Sequence, residues 1–369
     1  MINGDSNPSF VLEAIKQVSL RSIPKPHITD PHDVIVHVAQ TGICGSDVHY
    51  WQRGRIGDFV LNNPIVLGHE SSGIVVEVGP SVTNLKPGDR VAIEPGVPCR
   101  RCNYCRSGSY NLCRDTVFAA TPPHNGTLSQ YYKTAADYCY PLPDHVSLEE
   151  GALCEPVAVA VQILKVGDVR AGQVVVVFGC GPIGLLCQSV AKSYAAKTVI
   201  GIDISQKRLD MASNILRCAD GVFRAPLCQA KDADEQSQWA ARVAEEIKET
   251  FGLGEGPDVV IDATGAPSCI QTGVHLCKKG GTYVQAGMGV ENVNFPITTV
   301  CIRDLTVRGS IRYTAGVYPM AVDLVSSGKV VPSKLITHRF KFEDAEQAFE
   351  TVKAGGESTL KVLIGGVGQ

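Results

Sequence analysis

The chain has 369 residues, which predicts two domains, and 44% hydrophobic with 19% charged residues is typical of a globular protein with ample core. The net charge is −3 with acidic and basic residues interspersed, so neither a nucleic acid nor an anionic membrane is expected as a partner. The N-terminus lacks the regions of a secretory signal, and no apolar run reaches the ~18 residues of a membrane span.

The N-terminal half alternates short apolar strands with turns. Residues 33–39 and 73–78 have strand patterns, and a turn at 85–92 leads into a further strand. This pattern predicts a compact β-barrel rather than βαβ units.

Four cysteines form a compact motif, C-x2-C-x2-C-x7-C, made of Cys99, Cys102, Cys105 and Cys113. Fourteen cysteines in a chain that we expect to be cytoplasmic are thiols and metal ligands rather than disulfides. Zinc bound by four thiolates needs sulfurs placed tetrahedrally at about 2.3 Å, and C-x2-C turns provide them. Because four ligands leave no open position, we interpret the motif as a structural zinc site. An iron–sulfur cluster or chance clustering is the alternative.

A second group of candidate ligands, Cys44, His69, Glu70 and Glu155, is scattered along the chain. Each of these residues alone is more often a core or surface residue than a ligand. The first three lie in loops of the barrel half, and Glu155 stands where the sequence pattern changes. We expect two domains to meet there and to enclose a cleft.

From about Pro156 strands alternate with helices, which predicts a doubly wound parallel sheet. A helical pattern at 320–327 and a final strand at 360–364 are expected to return to the first domain. The predicted fold class is α/β plus all-β, with domains at 1–157, 158–300 and 301–369. The candidate strands of the parallel sheet are 174–178, 198–203, 259–263, 282–286 and 305–310.

Gly179, Gly181 and Gly184 give the spacing G-x-G-x-x-G between a valine-rich strand and a helix, which is the context that this motif requires. The first glycine permits a tight turn, the second lets the backbone approach a pyrophosphate, and the third lets the helix pack close to the strand. The N-terminus of the helix offers free N–H groups to phosphates. This turn, with Pro182 and Ile183, is predicted to bind a dinucleotide.

The next strand ends in Asp203, 19 positions after Gly184, where a carboxylate would bind the ribose hydroxyls of adenosine. The same carboxylate repels a 2′-phosphate, which favours NAD over NADP. Arg208 lies five residues later and would stack on adenine, contact the ribose or accept a phosphate. The last of these roles leaves NADP as an alternative.

The order and spacing of these motifs resemble those of the zinc-dependent medium-chain alcohol dehydrogenases, over essentially the full chain. The residues that carry the resemblance are 42–49, 68–70, 99–113, 155–156 and 179–184. Within this family the chain is similar to the polyol branch, the sorbitol and xylitol dehydrogenases, at residues 49–51, 55–59 and 311–313. It also carries Glu155 where alcohol dehydrogenases proper carry cysteine. Many members of that branch have lost the structural-zinc cysteines, whereas this chain retains all four.

The resemblance implies a GroES-like catalytic domain, a Rossmann NAD-binding domain, one catalytic and one structural zinc, and usually a homotetramer. Cys44, His69 and Glu70 are then zinc ligands, and Glu155 holds the zinc-bound water or coordinates as the zinc shifts. Which acid binds in each state stays open. By implication, zinc lowers the pKa of a substrate hydroxyl, and the resulting alkoxide transfers hydride to NAD.

The resemblance also implies contacts for the proton, the substrate and the nicotinamide. The hydroxyl relay to solvent corresponds to Ser46 and His49. The expected substrate contacts are Tyr50, Phe59, Phe118, Thr121, Glu155, Arg312 and Tyr313. Arg312 is alternatively a cofactor contact or an interface ion pair. The residues expected around the nicotinamide are Ala286, Gly287, Met288, Ser310, Ile311 and Arg312.

The predicted function is that of an NAD-dependent zinc polyol dehydrogenase, which oxidises xylitol or sorbitol to the 2-ketose, D-xylulose or fructose. An L-arabinitol 4-dehydrogenase is the alternative, because it shares nearly the same site and differs in which secondary hydroxyl meets the zinc. A non-catalytic relative that retains zinc and NAD is a more distant alternative, against which the complete candidate catalytic set argues.

Overall fold

The computed structural model describes residues 6–230 and 232–368, which divide into two compact units. Residues 6–155 and 314–368 form the first unit, and residues 156–313 form the second. The division predicted from the sequence places the end of the second domain at 300. The second unit extends to 313 because a strand at Thr306–Gly309 pairs within its sheet. Among the described residues, no helix has both the length and the apolarity needed to cross a bilayer.

Strands and helices are numbered in chain order. The strands are β1 (Ser6–Ala14), β2 (Gln17–Pro24), β3 (Asp33–Gly42), β4 (Arg55–Ile56), β5 (Phe59–Val60), β6 (Ile65–Val66), β7 (Glu70–Val78), β8 (Arg90–Ile93), β9 (Gly96–Val97), β10 (Val117–Phe118), β11 (Tyr131–Ala135), β12 (Cys139–Pro141), β13 (Val174–Phe178), β14 (Thr198–Asp203), β15 (Gly221–Arg224), β16 (Val259–Asp262), β17 (Thr282–Gln285), β18 (Thr306–Gly309), β19 (Ile336–Phe340) and β20 (Lys361–Gly365). The α-helices are α1 (Gly45–Arg53), α2 (Asn103–Arg106), α3 (Leu148–Ala152), α4 (Cys154–Val166), α5 (Pro182–Ser193), α6 (Gln206–Asp210), α7 (Ala233–Phe251), α8 (Pro267–Leu276), α9 (Ile297–Ile302), α10 (Val317–Ser326) and α11 (Ala345–Ala354). A π-helical turn at Met211–Ile215 follows α6, and short 3-10 turns lie at Tyr110–Leu112, Ala136–Tyr138, Pro332–Leu335 and Phe342–Asp344.

The first unit is built on a seven-stranded sheet in the order β12-β8-β7-β3-β20-β19, with β11 also paired to β3. A three-stranded sheet, β2-β1-β6, belongs to the same unit. The last strand, β20, is inserted between β3 and β19, antiparallel to β3 and parallel to β19. The end of the chain is therefore an interior strand of the first unit.

Helix α1 is held in place by aromatic packing. Tyr50 and Trp51 on α1 belong to a buried apolar cluster with Phe10 and Phe349. The Phe349 ring lies 5.2 Å from that of Phe10 and 6.0 Å from that of Trp51, centroid to centroid. Because these rings are buried on both sides of the contact, they fix α1, and with it the residues at its N-terminus.

The second unit contains six parallel strands in the order β15-β14-β13-β16-β17-β18. Strands β13, β14 and β16 are buried and rich in valine and isoleucine, as expected for strands that are covered on both faces. The strand order reverses direction between β13 and β16, which is where doubly wound sheets bind ligands. The prediction of a doubly wound parallel sheet is confirmed.

Glu94 follows β8 and has no exposed surface. Its Oε1 accepts a hydrogen bond from Tyr110 Oη at 2.6 Å, and its Oε2 accepts one from Tyr140 Oη at 2.7 Å. Tyr140 stacks on Tyr318 of α10, with ring centroids 4.9 Å apart. Burial raises the pKa of Glu94 to about 7, although both phenols oppose that change. Since Tyr110 lies between Cys105 and Cys113, this carboxyl group joins the four-cysteine segment to the barrel.

Glu94 should make the free energy of unfolding fall as the pH rises toward neutrality. The pKa of about 7 in the folded protein exceeds the usual 4.5, so the folded state binds this proton more tightly. The resulting stabilisation is complete below the unfolded pKa and is lost as the pH rises through the folded pKa. It amounts to roughly 3 kcal/mol at most.

Glu94→Gln keeps the shape of the side chain and removes its titration. Chemical denaturation of both proteins at about pH 5.5 and about pH 8 measures the difference, and other titrating groups cancel in the comparison. We expect the wild type to lose stability relative to the variant at the higher pH. The same pH dependence in both proteins would contradict this assignment.

Candidate active site

The N-terminus of α1 brings the first candidate ligands together. Cys44 is the N-cap residue of α1 and lies two residues after β3. The buried carboxylate of Asp47 accepts hydrogen bonds from the Cys44 N–H at 3.3 Å and from the Gly68 N–H at 3.0 Å. This one side chain therefore fixes the Cys44 turn against the turn that carries His69.

His69 is 6% exposed and has a partner on each ring nitrogen. Nδ1 lies 3.3 Å from Asp47 Oδ1, and Nε2 lies 3.4 Å from Ser46 Oγ. Burial lowers the pKa of His69, but Asp47 and Cys44 outweigh burial and raise the pKa well above its usual value. A carboxylate on Nδ1 orients the ring and leaves Nε2 as the nitrogen available to a metal.

Glu70, the next residue, forms a buried ion pair with Lys361 of β20. Lys361 Nζ donates to Glu70 Oε1 at 2.8 Å and to Oε2 at 2.7 Å, and a third hydrogen bond reaches the Ile43 carbonyl at 3.4 Å. Burial lowers the pKa of Lys361, but the charges of Glu70 and Cys44 outweigh burial and raise that pKa. The ammonium group thus holds both oxygens of Glu70.

Glu155 lies in the first turn of α4 and is 4% exposed. Its charge also raises the pKa of Lys361, so it belongs to the same neighbourhood as Glu70 and Cys44. A thiolate, an imidazole and a carboxylate are a donor set that fits zinc with one position open. The ligand atoms of Cys44, His69 and either glutamate do not all lie within 4.8 Å of one another. Those of Cys99, Cys102, Cys105 and Cys113, which we call the four-cysteine lobe, do.

The four-cysteine lobe has the geometry of a closed metal site. Among the described residues it is the one group of three or more His, Cys, Asp or Glu ligand atoms that all lie within 4.8 Å of one another. The Cys105 sulfur lies 3.9 Å from that of Cys99 and 3.5 Å from that of Cys102. Tetrahedral zinc with bonds of about 2.3 Å requires sulfurs about 3.8 Å apart, so the lobe fits zinc closely.

Backbone N–H groups favour a thiolate at Cys113, one of the four cysteines of the lobe. The Cys99 N–H points at the Cys113 sulfur from 3.4 Å. Burial raises the pKa of Cys113, but the N–H groups of Cys99 and Asp115 outweigh burial and lower the pKa to about 6. Helix α2 and the turn Tyr110–Leu112, both within the described chain, bury no side chain. A metal, rather than an apolar core, is therefore suited to hold the lobe together.

Cys99→Ser should release one zinc per subunit and lower the melting temperature much more than it lowers turnover in the cold, because the lobe is a structural element. Metal analysis and thermal denaturation measure the two effects. Cys301→Ser, at an exposed cysteine outside the lobe, is the matched control and should change neither. Loss of turnover in the cold with an unchanged melting temperature would show that the lobe is catalytic.

The turn after β13 shows why its glycines are needed. Gly179 has φ +94°, and a Cβ on Gly184 would collide with the Gly179 carbonyl oxygen. At Gly181, the N-cap of α5, an added Cβ would meet no atom within 4 Å. Gly181 thus faces open space at the N-terminus of a 12-residue helix, where a pyrophosphate is expected.

A cavity of about 430 Å³ lies beside this turn, at the carboxyl ends of β13, β14 and β16. Ile204, Leu227 and Trp239 contribute apolar walls, and Asp203 and Arg208 contribute polar groups. This is the reversal point of the strand order, so the cavity has the position and composition expected for the adenosine half of a dinucleotide.

Asp203 makes structural contacts that the motif did not predict. Its carboxylate accepts hydrogen bonds from the Cys180 N–H at 2.7 Å and from the Ser205 N–H at 2.9 Å. The side chain therefore ties the glycine turn to the end of β14 and also lines the cavity.

Replacing Asp203 by Ala together with Ile204 by Arg should shift cofactor preference toward NADP by at least about tenfold, because one repulsive charge is removed and one attractive charge is added. Ile204→Arg alone is the matched control, since it retains the carboxylate and should still prefer NAD. The ratio of kcat/KM for the two cofactors measures the shift. An unchanged strong preference for NAD in the double variant would exclude Asp203 as the ribose acid.

The remaining predicted residues of the first unit differ in exposure. His49 is half-buried on α1, and burial and Arg53 lower its pKa. Tyr50 is 4% exposed, within the apolar cluster, whereas Phe59 on β5 is 43% exposed. The Phe118 ring packs against that of His69, with centroids 5.8 Å apart, and the Thr121 N–H donates to the Phe118 carbonyl.

The remaining predicted residues of the second unit follow the carboxyl ends of β17 and β18. That edge of a parallel sheet is the one at which ligands bind. Arg312 has φ +50°, and Tyr313 is 2% exposed. The residues after β17 are Ala286, Gly287 and Met288, and those after β18 are Ser310, Ile311, Arg312 and Tyr313.

Two residues of the candidate centre, Asp47 and Lys361, were not predicted. Asp47 stands three residues after Cys44, the N-cap of α1. An acid at that position often accepts a hydrogen bond from the N-cap backbone N–H, and this spacing is the sequence signal that could have identified Asp47. Lys361 is 291 residues from Glu70, and no local pattern marks it as a partner.

Comparison with known proteins identifies the family. The alcohol dehydrogenase GroES-like domain matches residues 30–144, and the zinc-binding dehydrogenase domain matches residues 182–327. A protein of Aspergillus clavatus described as probable D-xylulose reductase A is 52% identical over 362 residues, covering 98% of this chain and 97% of the relative. The chain belongs to the zinc-binding alcohol dehydrogenase family.

Solved structures agree with this assignment. L-idonate 5-dehydrogenase from Escherichia coli has a TM-score of 0.84 at 29% identity and covers 98% of both chains. The E. coli dehydrogenase rspB, complexed with NADH, has a TM-score of 0.85 at 28% identity and covers 98% of this chain and 100% of its own. The predictions of a GroES-like and Rossmann fold, of a polyol dehydrogenase, and of zinc and NAD as cofactors are confirmed.

Proposed function

We propose that this dehydrogenase oxidises a secondary hydroxyl of xylitol, or of sorbitol, to the 2-ketose. The observation that carries the proposal is the Cys44–His69 pair ordered by Asp47, in a chain that is 52% identical to a relative described as a D-xylulose reductase. Reduction of D-xylulose and oxidation of xylitol are the two directions of one reaction. The same chemistry on L-arabinitol remains the second candidate.

In this proposal, Cys44 and His69 hold the catalytic zinc with a carboxylate from Glu70 or Glu155. The four cysteines of the lobe hold the structural zinc. Zinc, when bound, supplies Lewis acidity that lowers the pKa of the substrate hydroxyl, and NAD supplies the hydride acceptor. A carboxylate in place of a second thiolate leaves the centre more electropositive, which suits the neighbouring oxygens of a polyol.

Ser46 and His49 are proposed to carry the substrate proton away. Ser46 Oγ lies 3.4 Å from His69 Nε2, on the side of the ring that faces the metal position. His49 lies on the same helix, and its lowered pKa favours a neutral imidazole that can accept a proton near neutral pH.

Binding of the substrate and cofactor is assigned to the other predicted residues. Phe118 packs on His69 and is proposed to form one wall of the substrate site. The remaining proposed substrate contacts are Tyr50, Phe59, Thr121, Arg312 and Tyr313. The proposed cofactor contacts are Gly179, Gly181, Pro182, Ile183, Gly184, Asp203, Arg208, Ala286, Gly287, Met288, Ser310, Ile311 and Arg312.

A cytoplasmic homotetramer is the proposed form of the enzyme. Among the described strands, β18 pairs with β17 alone, and all four of its residues are exposed. Ile297 and Ile302 of the neighbouring α9 are 61% and 74% exposed. An open edge strand beside apolar side chains is a template for pairing with a second copy. The fourteen free thiols favour a reducing compartment.

Initial rates of NADH formation from xylitol, sorbitol, L-arabinitol, ribitol and ethanol, with and without a chelator, test the proposed function. We expect chelator-sensitive oxidation with xylitol or sorbitol preferred. A preference for L-arabinitol would transfer the proposal to the second candidate, and activity on ethanol alone would contradict the polyol assignment.

Glu155→Ala tests the same site within this assay. Turnover should fall by about a hundredfold or more, because the metal centre loses a carboxylate that binds zinc or its water. Binding of NAD and the oligomeric state should not change. Glu246→Gln, at an exposed acid of α7, is the control and should retain full turnover. Unchanged turnover in Glu155→Ala would remove Glu155 from the site.

A further inference from the structure

The Lys361–Glu70 pair is buried more completely than an ordinary ion pair. The two side chains are 5% and 2% exposed. The three hydrogen bonds of the ammonium group go to both Glu70 oxygens and to the Ile43 carbonyl, which matches the three protons that a lysine can donate. Two charges this deep are tolerated only when each is paired and hydrogen-bonded.

The backbone also directs Glu70 toward the lysine. Glu70 is the first residue of β7 and pairs with Gly42 at the end of β3. A Cβ on Gly42 would collide with Glu70 Oε2, so the absence of a side chain there makes room for the carboxylate. Strands β7 and β20 flank β3 in the same sheet, and Lys361, the first residue of β20, approaches Glu70 from the other side of β3.

The same ammonium group lies beside the candidate zinc ligands. It bonds to the carbonyl of Ile43, the residue before Cys44, and it is subject to the charges of Cys44 and Glu155. Glu70 directly follows His69 in the chain. A metal bound by Cys44 and His69 would therefore share the Glu70 carboxylate with a fixed cation.

We propose that Lys361 is a positioning residue of the catalytic zinc centre, which competes with the metal for Glu70 and limits how much of that negative charge reaches the metal. The inference rests on the proposed zinc ligands but not on the identity of the polyol. With Lys361 in place, Glu70 offers the metal at most a shared oxygen, so the metal remains electropositive. Without the Lys361 ammonium group, the Glu70 carboxylate can bind the metal with its whole negative charge.

Release of zinc from the holoenzyme to a chromogenic chelator tests this inference. Lys361→Met should slow zinc release from the catalytic site by about tenfold, because the Glu70 carboxylate loses its lysine partner and then binds the zinc ion more strongly. Lys361→Arg retains the cation and should release zinc at nearly the wild-type rate. Release from the four-cysteine lobe is the internal control and should be the same in all three proteins.

Cobalt substitution provides a readout that a purely structural lysine would not change. The visible absorption bands of cobalt at the catalytic site should shift in Lys361→Met, because a ligand is added or strengthened, and should be unchanged in Lys361→Arg. Unaltered cobalt bands and unaltered zinc release in Lys361→Met would overturn the inference. Neither readout uses a substrate, so a wrong polyol assignment would leave both unaffected.

A second pair of variants, in which the charge of Glu70 is removed, keeps the test valid if Lys361→Met alone does not fold. Glu70→Gln leaves the Lys361 cation without its carboxylate partner beside the metal, whereas Glu70→Gln combined with Lys361→Met removes both charges of the pair. The single variant should therefore release catalytic zinc faster than the double variant. Equal release rates from these two proteins would overturn the inference.

Discussion

The buried ion pair between Lys361 and Glu70 is the constraint that joins the end of the chain to the candidate catalytic centre. Glu70 opens β7, and Lys361 opens the last strand, β20, which is inserted beside β3. An unpaired charge in either position would cost several kcal/mol. The turns that carry Cys44 and His69 are therefore held in part by contacts from the C-terminal segment.

Other parts of the protein are held in place by different interactions. Aromatic packing of Trp51 and Phe349 fixes α1, and Asp47 joins the N-terminal turn of that helix to His69. The four-cysteine lobe has sulfur ligands in place of an apolar core, and Glu94 connects it to the barrel through Tyr110 and Tyr140. The dinucleotide turn depends on its glycines and on Asp203.

The parts of the site that depend on local sequence were predictable. The glycine turn, Asp203 and the cysteine lobe are each contained in a short stretch whose spacing follows from backbone or metal geometry. Fold class followed from the change between alternating strands and strand–helix repeats. The strand at Thr306–Gly309 was also identified by pattern and assigned to the parallel sheet, and its pairing with β17 places the end of the second unit after 300, at 313.

The parts that depend on distant contacts were not predictable. Lys361 looks like any lysine at the start of a strand until β20 is placed beside β3. Glu94 is one acid in a turn, and its two phenol partners come from different segments. Asp47 was close enough in sequence to notice, but an acid at the start of a helix has an ordinary capping role as well.

Zinc X-ray absorption spectroscopy of the purified holoenzyme tests the central claim, that one chain holds a four-thiolate zinc and a second zinc with a single thiolate. Two zinc ions per subunit are expected and, averaged over both, about 2.5 sulfur and about 1.5 nitrogen or oxygen ligands. One zinc per subunit with four sulfur ligands would mean that Cys44 and His69 bind no metal, and it would contradict the proposed catalytic site.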